Sequence, residues 1–146
     1  MILETALLCL TLNAYHEARG ELFEGQVAVN QVAMRRAGYD QRKVCRVIYA
    51  PGQFSWTAIY PRGKGVPKVK GPEWRRAELA ARLSIAWAFG DLKIPDYSKD
   101  ADHYHSVRVR PSWTRCARLT TQIDRHRFYT DVRPCLRSVV PTRLER

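Results

Sequence analysis

The chain has 146 residues, 45% of them hydrophobic and 27% charged, which places it among ordinary globular sequences with room for one domain and a modest core. That composition excludes a low-complexity or repetitive chain. Its 25 Lys+Arg against 14 Asp+Glu give a formal charge of +11, which favours polyanionic partners such as nucleic acid, an anionic membrane, or an envelope rich in carboxylates and phosphates.

Residues 2 to 17 read as a helix. Leu3, Leu7, Leu10, Ala14 and Glu17 recur at alternating spacings of four and three, and the other faces are apolar too, so protein should surround it. The opening run lacks a basic start and a small-x-small cleavage site, and Glu4 interrupts it. At roughly twelve residues it is also short for a membrane span. The expectation is therefore a buried first helix in a chain made in the cytosol, with other factors needed if it acts outside. In that setting Cys9, Cys45, Cys116 and Cys135 are expected mostly as reduced thiols, Cys9 as a small core residue.

Gly20 is a natural helix stop, and a second helix should run from Glu24 to Gly38 with Arg35 and Arg36 at its negative end. From Val44 to Pro72 the density of Pro and Gly predicts loop. A third helix is expected from Glu73 to Phe89, with Trp74, Ala77, Ala81, Ile85 and Ala88 as its apolar stripe. "HYHSVRV" (His103–Val109) alternates like a strand, and "RHRFYT" (Arg125–Thr130) is its expected partner. Between them, Ser112 is placed to cap a short helix over "WTRCARLTTQI" (Trp113–Ile123). The tail, residues 133–146, carries four Arg and two Pro and is expected to be loosely ordered. These elements make one mainly helical α+β domain over residues 1–132 with a basic tail after it.

Two chemistries compete at "NAYHEARGE" (Asn13–Glu21). A metalloprotease helix needs a second His four residues after the first, and Gly20 occupies that position. His103, His105 and His126 have no other ligand spacing around them, so structural or substrate-facing histidines are expected and no metal. Glu17 follows the apolar stripe onto a face that should be buried. Low polarity and the negative helix end both raise a carboxyl pKa there, as a general acid requires; the alternative is a structural Glu paired with Arg19. Glu21, four residues on, can bind a backbone amide, pair with Arg19 or orient a water. "PGQFSW" interleaves polar Gln53 and Ser55 with Phe54 and Trp56, the mixture of flat apolar surface and hydrogen-bonding groups that suits a sugar.

The blocks "YHEARGE" (Tyr15–Glu21), "EGQVAVNQV" (Glu24–Val32), "VCRVIYAPGQFSW" (Val44–Trp56), "HYH" (His103–His105), "PSW" (Pro111–Trp113) and "HRFY" (His126–Tyr129) occur in order. Together they resemble the SleB-type cell-wall hydrolases, among them spore-cortex-lytic enzymes and phage endolysins, over residues 5 to 130. The second helix departs from the family pattern, since "VAMRRA" (Val32–Ala37) lacks the usual Asn-Arg pair. The resemblance implies a lysozyme-like, lytic-transglycosylase-like fold with a small β element beside a cleft. It also implies cleavage of the MurNAc–GlcNAc bond of peptidoglycan, with Glu17 as the catalytic acid. Glu21 and Tyr104 are the supporting candidates, and Gln53, Phe54, Ser55, Trp56, His103 and His105 the substrate-binding ones. No cofactor is expected.

High charge and a short single domain make the chain look most like an endolysin of a phage infecting Gram-negative bacteria. Such an enzyme would be a monomer, released by a holin to periplasmic peptidoglycan, its basic tail either simply solvated or acting on the anionic outer membrane. Hydrolysis by a muramidase with Glu21, Glu73 or Asp102 as second carboxylate, or amidase action on the same polymer, stays open. In a different class, a basic nucleic-acid-binding module would explain the charge, but no helix carries the basic stripe of a groove reader.

Overall fold

The computed structural model describes residues 5–135. Helix α1 spans Ala6–Ala18, opened by Thr5, whose hydroxyl accepts from the Leu8 amide at 3.1 Å. Six consecutive residues, Cys9 to Ala14, are buried, as expected for a helix enclosed by protein. The chain leaves it through Gly20 in the left-handed conformation, with φ +86°. Helix α2 spans Phe23–Arg36 and ends before the left-handed Gly38.

The segment read as loop from Val44 holds more structure than expected. Helix α3, Gln41–Ile48, begins at Asp40, whose carboxylate accepts from the Arg42 amide at 2.9 Å. It buries Val44 and Ile48, one turn apart, against the first two helices. A single turn, α4, follows at Trp56–Ile59, and α5, Pro72–Ala88, starts with proline at its first turn. Helices α1, α2, α3 and α5 enclose a core of Leu10, Met34, Ile48 and Trp74. No described helix is long and apolar enough to cross a membrane.

The sheet is three-stranded and antiparallel in the order β1-β3-β2, with β1 at His103–Ser106, β2 at Arg118–Ile123 and β3 at His126–Thr130. The expected pairing of the two histidine-bearing segments is present, with Tyr104 opposite Phe128. The helix expected over Trp113–Ile123 is not. Only Ser112–Cys116 coil, as a 3₁₀ turn, and Ala117 then turns extended. "RLTTQI" offers β-branched residues and a free β3 edge, and strand pairing there satisfies backbone groups that a short exposed helix would leave to water. Phe128 on β3 packs with Val29 and Val32 of α2, fixing the sheet to the bundle.

All four cysteines are bridged, contrary to the expectation of reduced thiols. Cys9–Cys45 ties α1 to α3 and Cys116–Cys135 ties the 3₁₀ turn to the segment after β3, with Cα–Cα distances of 5.5 and 5.4 Å. Sequence separations of 36 and 19 hid pairings that only helix packing and strand return bring together. Cys9 is fully buried in the core, as expected. Residues 133–135 of the tail are thus fastened rather than loose; residues 136–146 lie outside the described residues.

Candidate active site

A cleft of about 1100 Å³ opens between the end of α1, the 49–62 segment and one end of the sheet. The last turn of α1 delivers Glu17 to its wall, because the apolar stripe beneath commits that face inward. Glu17 is partly buried, and Oε1 accepts from the Tyr104 hydroxyl at 2.9 Å. Burial raises its pKa above the usual carboxylate value. The Tyr104 hydrogen bond and nearby His126 oppose that, and Glu21 reinforces it. Burial also pushes the Tyr104 phenol well above its usual range, so it stays a donor to Glu17. The Tyr104 ring rests against Phe54, Phe128 and His126, with centroids 5.7, 5.6 and 5.3 Å away.

Glu21 does a different job. Its carboxylate accepts from His126 Nδ1, 2.9 Å from Oε2, and from the Arg125 amide at 3.2 Å. Side-chain exposures of 6% and 5% mark a buried pair, and the donors come from the β2–β3 turn (Arg125) and the start of β3 (His126). Glu21 therefore ties the end of the sheet to the α1–α2 junction while bordering the cleft. Arg19, the partner envisaged from sequence, instead places its guanidinium 4.3 Å over the Tyr15 ring.

The remaining expected residues separate into two groups. Gln53, Phe54, Ser55 and His105 line the cleft. Trp56 does not: it is 4% exposed, and its indole donates to Asn13 Oδ1 at 3.0 Å inside the core. Asn13 in turn donates to Asn30. His103 also stays outside, with Nδ1 donating to Asp102 at 2.9 Å. His105 is held at both nitrogens, Nδ1 donating to the Ser106 carbonyl at 2.7 Å and Nε2 accepting from the Tyr129 hydroxyl at 3.0 Å. Among the described residues no three His, Cys, Asp or Glu side chains are grouped to hold a metal ion.

Two histidines matter in ways the sequence pattern did not display. His126 reaches the cleft from β3, held by Glu21. His16 lies between Trp56 and Tyr60, 5.1 and 4.7 Å from their centroids, and donates from Nε2 to the Gly65 carbonyl at 2.9 Å. Burial lowers its pKa, and the Gly65 contact anchors the loop bordering the cleft. Its position next to Glu17 was the available signal, hidden by the failed metal motif. The cleft walls are otherwise cationic: Arg19, Arg62, Arg108 and Arg125 border it, and Glu17 and Glu21 are its two acidic residues.

The cleft thus presents a carboxyl group whose pKa burial raises, a phenol hydrogen-bonded to it, and aromatic and amide groups along its walls. A family model described as Cell Wall Hydrolase matches residues 20–129, from just past Glu17 to Tyr129 on β3. No curated protein and no solved structure matches the chain.

Proposed function

Because the chain belongs to the cell wall hydrolase family, whose polymer is peptidoglycan, we propose that it cleaves the MurNAc–GlcNAc glycosidic bond with Glu17 as general acid. Protonated Glu17 donates to the bridging oxygen while an oxocarbenium-like centre develops at C1 of MurNAc and the C1–O bond breaks. The Glu17 carboxylate left behind then takes the proton of the same sugar's C6 hydroxyl as that oxygen bonds to C1, closing a 1,6-anhydro ring. Glu17 ends protonated, ready for another cycle, and no water is consumed. The observation that carries this scheme is a cleft carboxyl group without an ion-pair partner among the described residues, whose pKa burial raises and which accepts from Tyr104.

The two-carboxylate route has less support. Glu21 is engaged by His126 and the Arg125 amide, while Asp102 and Glu73 do not border the cleft. Gln53, Phe54, Ser55 and His105 are the candidates for contact with the glycan. In the biological setting we favour, the enzyme is a monomeric phage endolysin that reaches periplasmic peptidoglycan after release and lyses the host. Two disulfides suit a chain that completes its fold where thiols oxidise.

Glu17→Gln should keep the fold and lower peptidoglycan cleavage by about 10²–10⁴-fold, the usual contribution of a positioned acid. Normal lysis by the folded variant would remove Glu17 from the mechanism. Mass spectrometry of wild-type products reads the reaction type. Anhydro-muramic ends support the scheme, reducing ends replace it with hydrolysis, and free stem peptides with amidase action.

A further inference from the structure

We propose that Arg108 and Arg125 form a carboxylate-binding subsite at the sheet end of the cleft, and that it holds an acidic group of the peptide borne by the glycan strand. This rests on the glycan-cleaving reading above and names a part of the substrate that reading leaves open. The two arginines come from different segments, one after β1 and one in the β2–β3 turn. The Val107 amide donates to the Arg125 carbonyl at 2.8 Å, which joins the two segments one residue before Arg108, and both arginines border the cleft.

Their backbones are fixed on the other side as well. The Arg108 amide donates to the Ser106 hydroxyl at 3.2 Å, and the Arg125 amide to buried Glu21 at 3.2 Å. Both residues are exposed, and neither guanidinium has a carboxylate partner among the described residues. The nearby acids are already used: Glu21 by His126, and Asp124 by the Leu22 amide at 2.7 Å. Two cations without carboxylate partners on the border of one cleft favour an anion there. A guanidinium fork matches a carboxylate in shape as well as charge.

N-acetylated sugar rings offer such a pair hydrogen-bond acceptors but no negative charge; the carboxylates of a peptidoglycan strand are on its peptides. Val109, 51% exposed, and Trp113 border the same end and can take the methyl groups of such a peptide. The inference therefore makes the enzyme a reader of peptide-bearing strands, with recognition at this end and bond cleavage at Glu17.

The experiment compares native peptidoglycan with the same polymer after its carboxylates are converted to methylamides. Wild-type kcat/KM should fall about tenfold or more on the amidated polymer, the scale of hydrogen bonds to a charged group, chiefly through KM. R108Q/R125Q should lose the same factor on native polymer, keep kcat, and show no further loss on amidated polymer. R46Q/R82Q removes the same charge from exposed residues away from the cleft and should discriminate as wild type does. Equal wild-type cleavage of both polymers, full discrimination by R108Q/R125Q, or an equal loss in R46Q/R82Q would each overturn the subsite. Release of stem peptides alone, with both glycans intact, would instead overturn the glycosidic reading and take the subsite with it.

Discussion

Glu17 is held by two opposing influences, burial that favours its neutral form and a Tyr104 hydroxyl that favours its anion. If Glu17 is the general acid proposed above, activity needs its acid form and should decline as pH rises through the elevated Glu17 pKa. Tyr104→Phe removes a donor to the carboxylate and raises that pKa further. The alkaline limb of the kcat/KM–pH profile should therefore move to higher pH in the variant, and a limb that stays put or moves down would separate Tyr104 from the acid's titration. Glu17 itself could be found from the helical stripe, because burial of Leu10 and Ala14 predicts the facing of the residue three farther on. The partner of Glu21 could not. His126 is 105 residues away, and no local periodicity encodes a contact made when a strand turn meets a helix junction.

Helices proved easier to locate than the sheet for the same reason. α1, α2 and α5 carry long apolar patterns, whereas α3 is eight residues enclosed by loop-forming neighbours. Its Asp40 cap and the Val44–Ile48 spacing were visible, but its stability comes from packing on α1. The β2 segment reads as helix from sequence alone because its strand character depends on β3. The Glu21–His126 contact joins these two halves of the fold. Glu21→Ala strands His126 Nδ1 and the Arg125 amide without their acceptor and should destabilise the protein by about 2 kcal/mol in urea unfolding. A change near zero would show that the sheet is anchored by Phe128 and its apolar neighbours alone.

For the whole molecule, a modest core is reinforced by two covalent ties. In the chain-entropy model loops of these lengths contribute about 3–4 kcal/mol each, so full reduction should lower Tm by roughly 10 °C or more. Calorimetry with and without dithiothreitol checks this, and an unchanged Tm would mean the packed helices suffice. Charge was legible from composition, but its concentration of four arginines along the cleft required the fold.

The order in which the cleft's parts appear along the chain also has a temporal meaning. Tyr104 follows Glu17 by 87 positions, and the His126 that secures Glu21 follows it by 105. These are long-range closures, which form slowly and late compared with neighbouring helices. A partly synthesised chain holds the acid without the phenol or the sheet that complete its surroundings. On the proposed mechanism, bond-cleaving competence should arise only once Tyr104 and His126 have been made and packed, as a single event instead of a gradual gain.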